Sequence, residues 1–170
     1  TLMAKDGEEE DVSLSLPQLN GSHGGVVGMV GMIEDKEDLM TVNFRSKGDM
    51  IFLIGKSDND ISSSEYLSFV HLINESAAPK FDLDYEMKLQ EVVGSLIKQR
   101  LIVSAHDVSM GGLFVTLVES SLAGGVGFDV TSPAEIRGDA FLFGESQSRV
   151  VVSVSPEQET AFLDFMMDSG

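Results

Sequence analysis

The stretch at residues 101–130, LIVSAHDVSMGGLFVTLVESSLAGGVGFDV, decides the fold that we predict for this chain. It begins with a short apolar run at 101–103, rich in β-branched residues, which predicts a strand covered on both faces. The glycine pair at 111–112 then lets the backbone turn tightly into a helix that is apolar round most of its circumference and must therefore be buried. A second glycine pair at 124–125 is placed to end this helix, and a second strand is predicted at 126–130.

The polar turn between the first strand and the helix is where chemistry is expected. Backbone N–H groups at a helix start lack intrahelical partners and favour an anion. The turn also carries an imidazole, a carboxylate and two hydroxyls, from His106, Asp107, Ser104 and Ser109. A structural interpretation competes, in which Asp107 or Ser109 caps the helix and His106 is a hydrogen-bonded histidine at a strand end. Spacing alone favours the structural interpretation.

Length and composition are those of one ordinary globular domain. The 170 residues can bury a proper core, and the 11 basic against 28 acidic residues give a net charge of −17, which disfavours nucleic acid and anionic membranes as partners. Without cysteine there is no disulfide, thiolate nucleophile or Cys-type metal site, and the scattered histidines form no zinc signature. No apolar run approaches the roughly 18 residues of a membrane span, so a cytoplasmic protein is expected. The opening residues lack an initiator Met, as in a piece of a longer protein.

Periodicity along the rest of the chain predicts strands mixed with helices. Residues 1–24 are expected to form an arm or interdomain linker, and residues 25–170 one domain. Further strands are predicted at 26–33, 42–44, 50–54 and 150–154. Helices are predicted at about 65–73, with Ser62 and Glu65 as a capping box, at 82–100, and after Pro156, with a turn or short helix before the break at Gly144. This succession indicates a layered α/β or α+β domain, one sheet with helices packed on it.

Two motifs in the chain resemble segments of the formylglycinamidine ribonucleotide synthase family. Residues 104–113, SAHDVSMGGL, followed by AGGVG at 123–127, resemble its His-Asp-Val-Ser-Asp-Gly-Gly-Leu segment. Residues 142–150, LFGESQSRV, are similar to its second marker and lie at the expected distance downstream. The resemblance covers nearly everything from Gly25 to Val154, and two motifs in order are far more specific than one.

The resemblance implies an ATP-dependent ligase of de novo purine biosynthesis, in which glutamine-derived ammonia converts formylglycinamide ribonucleotide to the amidine. It implies helices covering a mixed β-sheet, as in the C-terminal domain of aminoimidazole ribonucleotide synthase. ATP and Mg²⁺ are then expected in the whole enzyme, with most ligands in other domains, and neither is expected to bind to this chain alone. The implied partners are the preceding synthase domains of the same chain, a glutaminase domain or subunit, and the nucleotide substrate.

The resemblance also implies roles for particular residues. Glu145, Ser146 and Gln147 match a triplet that binds substrate in the first half of an internal duplication in the family, and the alternative is a turn whose polar groups cap the next strand. Met110 stands where the family has Asp, which weakens an active role for the turn. No catalytic residue and no metal ligand is assigned. We expect the triplet to share a crevice with the turn residues of the first motif, which are His106, Asp107, Ser109, Gly111 and Gly112.

Two other functions remain open at the level of the sequence. The chain could be a structural or interaction domain of the same enzyme, without a ligand of its own. It could also be the equivalent domain of a related enzyme, such as aminoimidazole ribonucleotide synthase, selenophosphate synthase or thiamine phosphate kinase.

Overall fold

A computed structural model describes Gly28, residues 30–33 and residues 35–169 of the chain. All regular elements in that part lie in one compact unit, Ile33–Gly170. After a 3₁₀ turn at Lys36–Asp38, they are β1 (Met50–Ile54), α1 (Glu65–His71), α2 (Leu83–Lys98), β2 (Ser104–Asp107), α3 (Gly112–Gly124), α4 (Gly138–Phe143), β3 (Val150–Val154) and α5 (Glu159–Ser169). The predicted linker at residues 1–24, with its boundary at Gly25, lies outside the described residues. None of the described helices is both long and apolar enough to cross a membrane.

The sheet places β3 between the other two strands, in the order β1-β3-β2. Both pairings are antiparallel, with Phe52 opposite Val152 in one and His106 opposite Val151 in the other. Helices cover both faces, so the predicted layered domain is confirmed. The sheet itself is antiparallel in the part described, where we expected a mixed one, because β3 enters between β1 and β2 and runs against both.

The core consists of two hydrophobic clusters, one on each face of β3. Val152 and Val154 pack with α2 and α5, whereas Val151 faces α3 and α4. Strand side chains alternate between faces, so an apolar run such as VVVSV suits a strand that is covered on both. Burying an aliphatic or aromatic side chain contributes roughly 1.5–3 kcal/mol, and Phe162 of α5 and Leu117 of α3 are among the most deeply buried.

The strand that we predicted at residues 101–103 begins three residues later, at Ser104. Leu101 and Ile102 are buried, as expected, but they lie in the connection between the end of α2 and β2. Arg100 has a φ of 58°, and the N–H of Leu101 donates to the carbonyl of Leu96 at 3.0 Å, which closes the helix. The polar residues SAHD therefore form the strand, since they are the ones that reach β3.

The other predicted strands that fail are those at 26–33, 42–44 and 126–130. Gly28 and residues 30–33 are not in a strand, and the two glycines of that run weaken it; the remainder lies outside the described residues. At 42–44 no strand forms: the N–H of Phe44 donates to the carbonyl of Ser120 in α3, although the carbonyl of the preceding Thr41 accepts from the N–H of Ala105 in β2. At 126–130, Val126 is bonded back to Ser121 through both its N–H and its carbonyl.

Helix positions agree better with the sequence, and the differences lie at their starts. Ser64, rather than Ser62, caps α1, because its Oγ accepts from the N–H of Leu67 at 3.1 Å. The helix α3 begins with Gly111 as its cap and has no side-chain cap, so neither Asp107 nor Ser109 fills that role. Its predicted end is confirmed: Gly125 has a φ of 66°. The burial expected all round α3 is incomplete, since Leu122 is exposed.

Candidate functional site

A cavity of about 410 Å³ is lined by residues of both sequence motifs. Its walls come from the motif turn, which we define as residues 107–112, from the triplet loop, defined as residues 144–149, and from α2. The side chains that matter below are Asp107, Ser109, Met110, Glu145, Gln147 and Glu86. The predicted crevice between the two motifs is therefore present in the structure.

Glu145 joins the two motifs directly. Its Oε1 accepts a hydrogen bond from the N–H of Gly111 at 2.9 Å and another from the N–H of Glu65 at 2.7 Å. Glu65 is the first residue of α1, and Gly111 precedes the first residue of α3. An anion was expected at the start of α3, and the group found there is the Glu145 carboxylate of the chain itself. Hydrogen bonds to a charged group contribute about 1.5–3 kcal/mol each. The Glu145 carboxylate therefore stabilises the contact of the triplet loop with the motif turn and with the start of α1.

Gly112 brings the motif turn against the triplet loop. A Cβ at this position would lie 2.7 Å from the carbonyl oxygen of Gly144, and its φ of 70° also favours glycine. The second glycine of the motif is therefore required for close contact between two backbones. This contact fixes the distance between the motif turn and the triplet loop.

Arg149 supports the triplet loop from inside and was not identified from the sequence as a functional residue. It is only 2% exposed, its Nη2 donates to the carbonyl of Gly144 at 2.6 Å, and its Nε donates to the carbonyl of Ser146 at 3.1 Å. Burial lowers the pKa of this guanidinium, while the charges of Asp58 and Glu145 raise it. The sequence does show an arginine directly before a buried strand of valines. A cation in such a position needs several hydrogen-bond acceptors, which could have indicated a structural role for Arg149.

The groups left for a ligand are on the exposed side of the cavity. Gln147 is exposed, and its side-chain amide makes no hydrogen bond to the residues that the structure describes. Asp107 is also exposed and ends β2 at the cavity wall. Ser148 donates to Glu86 Oε2 at 2.5 Å, which ties the loop to α2. An amide and a carboxylate can bind hydroxyl, amine or amide groups, and nothing in this pair requires proton transfer.

Four residues predicted for the site do not line the cavity: Gly111 and Gly112, which contact the triplet loop, and His106 and Ser146. His106 points to the opposite face of the sheet, where its Nδ1 lies 3.1 Å from Ser120 Oγ and its Nε2 lies 3.5 Å from Glu119. This agrees with the interpretation of His106 as a hydrogen-bonded histidine of a strand. Ser146 is buried, and its carbonyl accepts from Arg149. Glu145, Gln147, Asp107 and Ser109 are the predicted residues that do come together.

Met110 borders the cavity with its side chain 72% exposed. The resemblance implies an Asp at this position, and this chain has a thioether there instead. Within the residues that the structure describes, no group of three or more His, Asp or Glu side chains is arranged to hold a metal ion. The wall is suited to hydrogen bonding and apolar contact.

Comparison with known proteins assigns the domain. Residues 46–170 match the model of the AIR synthase related protein, C-terminal domain. The chain is 41% identical over 145 residues to phosphoribosylformylglycinamidine synthase subunit PurL of Moorella thermoacetica, covering 85% of this chain and 20% of the relative. It is 43% identical over 132 residues to the same subunit of Alkaliphilus metalliredigens, covering 78% of this chain and 18% of the relative. The chain thus spans about a fifth of the length of these relatives.

Solved structures show the same fold. Phosphoribosylformylglycinamidine synthase II of Thermotoga maritima matches with a TM-score of 0.59 and 19% identity, covering 79% of this chain and 22% of that one. The T. maritima PurL structure complexed with FGAR matches with a TM-score of 0.60 and 17% identity, covering 79% of this chain and 24% of that one. Since the family model covers most of the chain, the chain belongs to the family of C-terminal domains of AIR synthase related proteins.

Proposed function

We propose that this chain is the C-terminal domain of an ATP-dependent ligase that converts formylglycinamide ribonucleotide to formylglycinamidine ribonucleotide, and that it forms one wall of the substrate cleft. The observation that carries the proposal is the cavity between the two motifs, whose walls are joined by Glu145. The relatives that match over most of this chain are synthase subunits for this product. Solved structures of the same fold include T. maritima PurL complexed with FGAR and T. maritima PurL complexed with ATP.

The wall would bind and orient the substrate. Gln147 offers an amide donor and acceptor, and Asp107 offers a carboxylate acceptor, which suits ribose hydroxyls and the formylglycinamide group. Fixing the substrate in the cleft lowers the entropic part of the barrier, while the reacting groups come from elsewhere in the enzyme. ATP, Mg²⁺ and ammonia from glutamine belong to the proposed whole enzyme, together with a glutaminase partner and a cytoplasmic location. The chain alone is expected to be inactive.

The proposal is tested with Gln147→Ala in the full-length enzyme. Its side chain borders the cavity and makes no hydrogen bond to the described part of the chain, so its loss should leave the thermal midpoint unchanged. We expect KM for formylglycinamide ribonucleotide to rise about tenfold, as for the loss of one hydrogen bond to the substrate. Gln99→Ala, at the exposed end of α2, is the matched control and should leave KM unchanged. An unchanged KM in Gln147→Ala would contradict the proposal.

A second function is favoured by two observations on the same wall. Glu145 uses its Oε1 for backbone contacts within the domain, and Met110 supplies no carboxylate. Both suit a structural domain that packs against the rest of the enzyme without contacting the ligand. In that case Glu145→Ala lowers the stability of the enzyme, while Gln147→Ala and Asp107→Asn leave both KM and kcat at the level of the unaltered protein.

A further inference from the structure

The triplet loop is built around a guanidinium that does not itself belong to the triplet. Arg149 donates to the carbonyl of Gly144 and to the carbonyl of Ser146, the residues directly before and after Glu145. Its Nη1 lies 3.4 Å from Ser57 Oγ, at the far end of the fork. The side chain is almost fully buried, so its position is fixed by these contacts and by the strand that follows.

The two carbonyls set the direction in which Glu145 leaves the backbone. With the carbonyls of both neighbouring residues held, the Glu145 carboxylate reaches the N–H of Gly111 on one side and the N–H of Glu65 on the other. The next residue, Gln147, is then left on the exposed side of the cavity. The guanidinium of Arg149 thus acts on the motif turn through the triplet loop and Glu145, while the backbone carbonyl of Arg149 accepts directly from the N–H of Val108 at 2.9 Å.

We propose that Arg149 is a positioning residue, which fixes the triplet loop so that Glu145 joins the motif turn to α1 and Gln147 is presented to the ligand. The part of this inference that concerns the ligand rests on the proposed function, whereas the part that concerns Glu145 does not. A planar guanidinium is suited to the role, because its fork reaches two carbonyls at once. The ammonium of a lysine is a point donor and cannot hold both in the same way.

The first test measures the position of Glu145 without using activity. Residue-resolved amide hydrogen exchange of the full-length protein should show that Arg149→Met raises the exchange rates of the Gly111 and Glu65 amides by about tenfold or more. The amides of Val151 and Val152, in the central strand, should stay protected. Arg149→Lys keeps the charge and should also raise both rates, and it replaces the methionine variant if that one does not fold. Unchanged rates at Gly111 and Glu65 in Arg149→Lys would overturn the proposal.

The second test separates positioning from simple stabilisation. Arg149→Lys should raise KM for formylglycinamide ribonucleotide by about tenfold, because a displaced loop misplaces Gln147. Ser57→Ala is the matched control, since it removes only the longest of the three contacts, and it should leave exchange and KM unchanged. Raised exchange with an unchanged KM would overturn the proposed substrate role of the wall and leave the positioning of Glu145 standing. A lysine variant equal to the unaltered protein in both measurements would overturn the positioning role.

Discussion

His106 and Asp107 are consecutive residues of β2, yet they lie on opposite faces of the sheet. His106 contacts Ser120 of α3 in a helix-covered layer, whereas Asp107 borders the cavity between the motif turn and the triplet loop. The same division separates Ser146, which is buried, from Gln147, which is exposed. Neighbouring residues of one sequence motif therefore have two different roles. Some pack in the interior and support the fold, and the others face the cavity.

The division follows from the geometry of extended backbone. Side chains of a strand alternate with a period of two, so a run of polar residues across a strand end cannot all face one ligand. Opposite His106 stands Val151, which belongs to the cluster with α3, and opposite Asp107 stands Val150, which borders the cavity. Residues on the supporting side should affect mainly the stability of the protein, whereas residues that only face the cavity should affect mainly KM.

The largest effect is expected at Gly112, where the motif turn meets the triplet loop. Gly112→Ala places a Cβ 2.7 Å from the Gly144 carbonyl oxygen in a left-handed conformation, and we expect a loss of about 3 kcal/mol in the free energy of unfolding. Urea denaturation measures this loss. Gly127→Ala is the control, because a Cβ there meets nothing within 4 Å. Equal stability of the two variants would show that the close contact is absent.

Glu145 should give the next largest effect. Glu145→Ala leaves the N–H groups of Gly111 and Glu65 without their acceptor, and we expect the free energy of unfolding to fall by about 2 kcal/mol. The same denaturation experiment on Glu135→Ala, an exposed carboxylate between α3 and α4, should show almost no change. If the free energy of unfolding falls equally in the two variants, Glu145 does not join the motif turn to α1.

The pair His106 and Asp107 tests the division itself. His106→Ala removes a hydrogen bond in the α3 layer and should lower the free energy of unfolding by about 1 kcal/mol with no change in KM of the full-length enzyme. Asp107→Asn should leave stability unchanged and raise KM, since it alters a cavity side chain. Thermal denaturation and steady-state kinetics on both variants decide between the two faces. The reverse result, with KM altered only in the His106 variant, would move the ligand to the other side of the sheet.

The smallest effect is expected at Asp60. A hydrogen bond from the Ser62 side chain, aided by the Ser62 N–H at 2.9 Å, lowers the pKa of Asp60 below its usual 3.8. A lowered folded-state pKa contributes stability that is present above pH 3.8 and is lost as the pH falls through the folded value. Because Asp60 is only partly buried and its hydrogen bonds are local, we expect Asp60→Asn to cost less than about 0.5 kcal/mol at neutral pH. Denaturation as a function of pH should show this difference vanish in acid, and a difference that persists there would contradict the assignment.

The sequence predicted the elements whose signals are local. The valine run at β3, the apolar face of α2 and the glycine end of α3 all appear where periodicity and glycine placement put them. The prediction was wrong where pairing with a distant segment determines the structure. Ser104–Asp107 form a strand because they pair with β3, although their polarity suggested a turn. Phe44 was predicted to be in a strand and instead bonds to α3.

The site was predictable as a pairing of two motifs but not in its internal construction. Resemblance placed Glu145, Gln147 and the motif turn together, and the structure brings them together. It could not show that Glu145 Oε1 bridges two backbone segments, because Glu65 lies 80 residues away in the chain. Arg149 was missed for a similar reason, since its carbonyl acceptors carry no side-chain signature.

The most direct test of whether ligand occupies this cavity uses the methyl group of Met110. Its side chain is exposed at the cavity wall, and Met167, 73% exposed on α5, provides a reference outside the cavity. In the full-length enzyme labelled at methionine methyl groups and assigned with Met110→Leu, titration with formylglycinamide ribonucleotide should shift the Met110 signal to saturation and leave Met167 unchanged. A Met110 signal that stays fixed while the enzyme becomes saturated with substrate would contradict the account.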